Sequence, residues 1–161
     1  MNVQRILVPL DGSPLAEDAL PKAVELVQGS GGKLFVLRAV EAHAFPGADR
    51  TEAQVKVVKE AEDYLGQIRD RLAALGVKDV DISIWYGSAT DAIVEAVSLY
   101  KIDQIVMTTH GRSGLGRLIL GSVAESVLRG TTTPILLLRA SEAPVERPTG
   151  TAKPWPGIGH A

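Results

Sequence analysis

Short apolar runs alternate with helical segments along this chain, and this alternation limits the possible folds more than any other feature of the sequence. The runs are almost continuously apolar, which is typical of strands that are buried on both faces of a sheet. Helices must then cover both sides of a parallel sheet. The predicted strands are Arg5–Pro9, Leu34–Val40, Asp79–Tyr86, Gln104–Met107 and Pro134–Arg139.

The segments between these strands carry apolar residues at helical spacing. Ser13 is a good N-cap and Pro14 suits the first helical position, so a helix is expected to begin there. The helices are predicted from Ser13 to just before Gly29, over Thr51–Leu75, from the cap Ser88, and over Ser122–Arg129. Right-handed crossovers make a doubly wound α/β fold the natural solution, although the pattern alone does not fix the order of the strands.

Composition excludes several classes of protein. The 161 residues are sufficient for one domain, and a net charge of −2 gives no basic field for nucleic acid or anionic membranes. Only 4% of the residues are aromatic, which argues against a base-stacking nucleic-acid surface, and the absence of cysteine excludes a thiol nucleophile. The sequence shows neither a signal-peptide core nor an 18-residue apolar run, so a cytoplasmic protein without a membrane anchor is expected.

A glycine-rich segment follows the fourth strand. It runs from Met107 through Gly111 and reaches Gly121-Ser122, where a helix starts and Ser122-x-x-Glu125 has the form of a capping box. Glycines let the backbone approach a ligand closely, and free N–H groups at a helix start bind anions. The segment therefore predicts a phosphate site, although it matches neither the P-loop nor the dinucleotide fingerprint.

The segment resembles the universal stress protein signature Gly-x2-Gly-x9-Gly-Ser/Thr. Gly111, Gly121 and Ser122 match it in register, whereas Thr108 stands where the first glycine is expected. The stretches Val8–Ser13 and Pro134–Leu138 also look like the first and last strands of that family. The resemblance covers residues 1–140 and implies a Rossmann-like, five-stranded parallel sheet of order 3-2-1-4-5 with helices on both faces. The implied site lies at the switch point between strands one and four.

By this resemblance, the chain binds ATP, with Mg²⁺ carried on the phosphates rather than held by a protein metal site. Gly121, Ser122 and Val123 would receive phosphate oxygens, although Ser122 could simply close its helix. Asp11 could meet the ribose or the base, or serve only an Asx turn with Gly12 and Ser13. The residues implied to bind the nucleotide are Pro9, Asp11, Val40, Met107, Thr108, Gly111, Arg112, Ser113, Gly121, Ser122 and Val123.

Catalytic residues are not evident. His110 lacks a base-orienting partner nearby in the sequence, and the chain has no nucleophile elbow or HExxH motif. The first interpretation is therefore an ATP-binding stress-response or signalling module with slow or no hydrolysis, acting through unknown protein partners. The alternatives are an interaction scaffold that has lost nucleotide, for which Thr108 is the main argument, and an adenylyl- or phosphoryl-handling enzyme.

Two further expectations concern the C-terminal part of the chain. Residues 141–161 are rich in proline and glycine, which predicts an extended or disordered tail after the domain. The strand 134–139 is more apolar than an exposed sheet edge should be, and the family resemblance implies a homodimer joined through it.

Overall fold

The computed structural model describes residues 3–109, 120–139 and 150–152. The elements of these ranges alternate as the sequence predicts. The strands are β1 (Arg5–Pro9), β2 (Lys33–Val40), β3 (Val80–Tyr86), β4 (Gln104–Thr108) and β5 (Ile135–Leu138). The helices are α1 (Pro14–Glu17), α2 (Leu20–Ser30), α3 (Arg50–Ala74), α4 (Ala89–Tyr100) and α5 (Ser122–Gly130).

The five strands form one parallel sheet in the order β3-β2-β1-β4-β5, so the predicted fold class and strand order are confirmed. Leu7 in β1 is aligned with Phe35 of β2 on one side and with Ile105 of β4 on the other. The Asp103 carboxylate fixes the start of β1 beside β4, because it accepts hydrogen bonds from the Gln4 and Arg5 amides at 2.9 and 2.8 Å.

Alternate residues of each central strand enter two separate cores, as the two-residue period of a strand requires. Ile6 and Val8 of β1 pack in a cluster with buried residues of α1, α2 and α3. Leu7, between them, packs in a second cluster with buried residues of α4 and α5. Helices therefore cover both faces of the sheet.

The first helix is the main correction to the sequence prediction. One helix was expected from Ser13 to just before Gly29, but the structure has two, with Asp18 and Ala19 between them. Pro21 explains the break, because proline has no N–H to donate and its ring crowds the carbonyl four residues earlier. Pro21 instead occupies the first turn of α2, which continues past Gly29 to Ser30 and is capped by Gly31 with a positive φ of 67°.

Other boundaries differ from the predictions by one or two residues. β4 extends to Thr108, β5 is shorter at both ends than residues 134–139, and α3 begins and ends one residue early. Ser13 and Ser88 do cap their helices, by accepting hydrogen bonds from the Ala16 and Asp91 amides. The predicted tail lies outside the described residues except for 150–152.

Candidate functional site

β1 and β4 lie side by side at the point where the chain changes direction through the sheet. From β1 the chain passes through α1 and α2 on one face, and from β4 it leads to α5 on the other. The carboxyl ends of these two strands therefore diverge into a crevice, the usual ligand position in open α/β sheets.

A cavity of about 300 Å³ occupies this crevice. Pro9 and Asp11 line it from the end of β1, Met107 and Thr108 from β4, and Gly121 from the start of α5. The full lining consists of Pro9, Leu10, Asp11, Ala16, Ala89, Ile93, Met107, Thr108, Thr109, Gly121, Ser122, Val123 and Ala124. Seven of the eleven residues predicted from the sequence are thus brought together here.

The start of α5 forms one wall of the cavity and corrects the predicted capping box. Gly121, not Ser122, is the N-cap, and this helix start has no side-chain cap. Ser122 lies exposed in the first turn, one position too late to cap. The Gly121 amide donates to the Thr109 carbonyl at 2.7 Å, which fixes the helix start beside the end of β4. Amides of an uncapped first turn can donate to an anion.

The turn after β1 forms a second wall. The Ser13 amide donates to Oδ1 of Asp11 at 2.8 Å, and Gly12 between them has a φ of 83°. This is the Asx turn that the sequence left open as one role for Asp11. The Asp11 side chain is half-buried and lines the cavity as well, so the turn holds the carboxylate at the crevice.

A second cavity, of about 570 Å³, adjoins the first and shares Asp11, Ala89 and Val123 with it. It extends from Val123 of α5 over the carboxyl ends of β2 and β3. Val40 is found here, buried with 8% of its surface exposed, and not in the cavity with the other predicted residues. The two cavities form one cleft with Val40 at one end and the start of α5 at the other.

Thr108 and Met107 are both buried, each with 7% of its surface exposed. Thr108 is the last residue of β4 and is aligned with Leu138 of β5, so it belongs to the sheet as well as to the cavity lining. Gly111, Arg112 and Ser113, together with His110, lie outside the described residues.

The second cavity also contains charged residues that the sequence analysis missed, namely Arg38, Glu41 and Glu60. Arg38 belongs to β2, and its guanidinium lies over the ring of Tyr64 from α3, with Cζ 4.9 Å from the ring centroid. The sequence does contain one signal for Arg38, because it is a charged residue within the otherwise apolar run of the second strand. The run predicts only a buried strand, because the partner of Arg38 lies on a distant helix.

Within residues 3–109, 120–139 and 150–152, no cluster of three or more His, Cys, Asp or Glu side chains is arranged to hold a metal ion. Over the same part of the chain, none of the helices combines the length and the apolar character needed to cross a membrane.

Comparison with known proteins is consistent with this fold. The model of the universal stress protein family matches residues 2–139. A Staphylococcus aureus (strain USA300) protein named as a universal stress protein is 29% identical over 149 residues, covering 91% of this chain and 90% of its own length.

Two solved structures extend this likeness. One is a universal stress protein in complex with cAMP, with a TM-score of 0.65 and 28% identity, covering 88% of this chain and 100% of that one. The other is the Archaeoglobus fulgidus universal stress protein in complex with dAMP, with a TM-score of 0.58 and 18% identity, covering 85% and 98%. The sequence signature, the fold and the matching family model together establish that this chain belongs to the universal stress protein family.

Proposed function

We propose that this protein binds an adenine nucleotide, ATP in particular, in the cleft between β1 and β4. The observation that carries the proposal is the uncapped start of α5 at one end of a cleft with an apolar, buried Val40 at the other. Such a cleft suits a ligand with an anionic end and a flat apolar end. Its two cavities, about 300 and 570 Å³, are in the range of small-molecule sites.

Ten of the eleven predicted residues have a stated role in this proposal. The Ser122 and Val123 amides donate to phosphate oxygens. Gly121, whose own amide donates to the Thr109 carbonyl, leaves room for the phosphates to approach. Asp11 meets the ribose, and Pro9 and Val40 pack around the base. Met107 and Thr108 form the floor under the sugar and the first phosphate. Arg112 and Ser113 are proposed to meet the outer phosphates, and Mg²⁺ is carried on those phosphates without a protein cage.

Two related proteins support the choice of an adenine nucleotide, because their structures hold cAMP and dAMP. The proposal goes further in naming ATP and a cytoplasmic signalling or stress-response role with slow or no hydrolysis. It is tested by extracting nucleotide from freshly purified protein and by titrating ATP calorimetrically. Absence of bound nucleotide and of any heat on titration would contradict it and favour the interaction scaffold. Rapid turnover would favour the phosphoryl-handling enzyme.

We also propose a homodimer joined through β5. This strand is the edge of the sheet beyond β4, and all four of its residues are apolar and only partly buried. Pairing with a second copy would satisfy its outer N–H and C=O groups and cover these side chains. Sedimentation at micromolar concentration should show a dimer, and a monomer would contradict this assembly. Deletion of residues 141–161 tests whether the tail contributes to association.

A further inference from the structure

Arg38 is held in a fixed position at the wall of the second cavity. A Cβ built on Gly12 would lie 3.1, 3.1 and 3.3 Å from Cζ, Nη2 and Nη1 of Arg38. Such nearly equal distances mean that Gly12 lies against the flat face of the guanidinium. The Tyr64 ring also lies against it, with Cζ 4.9 Å from the ring centroid. The Gly12 contact uses a face of the guanidinium, whereas its N–H donors point outward in its plane.

A hydrogen-bonded chain holds Tyr64 in place. Its hydroxyl donates to Oε1 of Glu17 at 2.9 Å, and Arg71 donates to the other Glu17 oxygen at 2.9 Å. The guanidinium of Arg38 is therefore positioned before any ligand arrives, and little side-chain freedom is lost on binding. Within the part of the chain that the structure describes, its N–H groups donate to no carboxylate or carbonyl, and Arg38 lines the cavity.

The other charges of the cavity indicate what these donors meet. Asp11, Glu41 and Glu60 line the same cavity, so three carboxylates would oppose a phosphate there. The Arg38 donors and the carboxylate acceptors of this cavity instead suit a ligand edge on which a hydrogen-bond acceptor lies next to a hydrogen-bond donor. The edge of adenine has this pattern, because a ring nitrogen accepts next to the 6-amino group, which donates. Guanine has an oxygen at the position of this amino group, so it would have to present its N1–H and 2-amino groups to the carboxylates instead.

We propose that Arg38 binds the base in this cleft by donating to a ring nitrogen of adenine, N1 or N7, beside the 6-amino group. A neighbouring carboxylate accepts from that amino group. This inference rests on the proposed nucleotide site and adds to it a residue that the sequence analysis did not select.

The experiment compares Arg38→Met with Arg69→Met by calorimetric titration of ATP. Both changes remove one positive charge, but Arg69 is an exposed residue of α3 that does not line the cavity. Loss of a charged hydrogen bond should weaken ATP binding about tenfold or more in Arg38→Met, while Arg69→Met should bind like the wild type. Arg38→Lys, which keeps the charge and most of the stem, should also bind ATP more weakly because it lacks the planar fork.

Two ATP analogues identify the contact without relying on a variant. In 7-deaza-ATP and 1-deaza-ATP one ring nitrogen is replaced by carbon, and one of the two should bind the wild type about tenfold more weakly than ATP does. That analogue should bind Arg38→Met and the wild type equally. Equal ATP affinity of Arg38→Met and Arg69→Met, or full affinity of Arg38→Lys, would overturn the inference. The inference would also be overturned if Arg38→Met lost affinity for ATP and for both analogues by the same factor. If the wild type binds no nucleotide, the proposed function itself fails.

Discussion

The hydroxyl of Tyr64 donates a hydrogen bond to Oε1 of Glu17, with 2.9 Å between the two oxygens, and so joins α3 to α1. Tyr64 is half-buried, and its burial, together with the hydrogen bond to Glu17, raises the pKa of the phenol well above its ordinary value of 10.0. The same ring supports Arg38 at the cleft, so this contact links the stability of the fold to the geometry of the candidate site.

The raised pKa of Tyr64 predicts a loss of stability at alkaline pH. A group with a higher pKa in the folded state contributes stability below its unfolded pKa, near 10, and that contribution is lost as pH rises toward the folded pKa. The free energy of unfolding should therefore fall more steeply above about pH 10 in the wild type than in Tyr64→Phe. Urea unfolding of both proteins at a series of alkaline pH values measures this. Parallel pH profiles would contradict the assignment.

Gly32 should be intolerant of any side chain. A Cβ at this position would collide with the backbone carbonyl oxygen of Gln4 and lie 2.9 Å from its carbon, and that carbonyl accepts from the Lys33 amide at 2.6 Å. Gly32→Ala should lower the free energy of unfolding by roughly 1–3 kcal/mol, as overpacking does. The control is Gly29→Ala in α2, where no atom lies within 4 Å of the added Cβ. It should raise stability by up to about 1 kcal/mol through helix propensity. Equal melting temperatures of Gly32→Ala and Gly29→Ala would contradict the close approach of Gly32 to the Gln4 backbone.

Gly121→Val should abolish nucleotide binding while leaving the fold largely intact. Gly121 lines the cavity at the start of α5, and its φ of −57° and ψ of 148° are accessible to other residues. A valine there would block phosphate approach without straining the backbone. Calorimetry with ATP and a thermal melt measure the two effects. Unfolding of the variant would mean that the glycine serves the backbone and not a ligand.

Thr108→Gly should leave nucleotide affinity unchanged or raise it, because the smaller residue gives the sugar and first phosphate more room. The variant should lose about 0.5–1 kcal/mol of stability, since glycine weakens a strand. Titration of ATP into wild type and variant at one temperature compares the affinities. A sharp loss of affinity would show that the Thr108 hydroxyl itself contacts the ligand.

ATP should bind more tightly than GTP. With Arg38 donating to a ring nitrogen and Glu41 or Glu60 accepting from the 6-amino group of adenine, a guanine in the same orientation would place its 6-oxygen against that carboxylate. Competition between the two nucleotides for the purified protein measures the preference. Equal affinities would contradict the placement of the base beside these residues.

The parallel sheet could be predicted from the sequence because its strands and helices are each indicated by residues close together along the chain. Each strand is a continuous apolar run, and Ser13 and Ser88 signal helix starts through hydrogen bonds to amides three residues on. The strand order required the family resemblance, since apolar runs such as β1 and β2 do not specify their neighbours. The first helix was predicted wrongly because its continuous apolar spacing outweighed the effect of Pro21.

The sequence by itself determined that residues at the carboxyl ends of the parallel strands meet at one edge of the sheet. Asp11 and Thr108 follow from that rule, whereas Pro9 and the adjacency of β1 and β4 came from the family resemblance. Only the tertiary structure decided that Arg38 lies beside both Gly12 and Tyr64, that Val40 lies in a second cavity, and that Gly121 and not Ser122 is the N-cap of α5. These features depend on how β2, α3 and the turn after β1 pack together. Contacts between side chains from distant segments leave no periodic pattern along a single sequence.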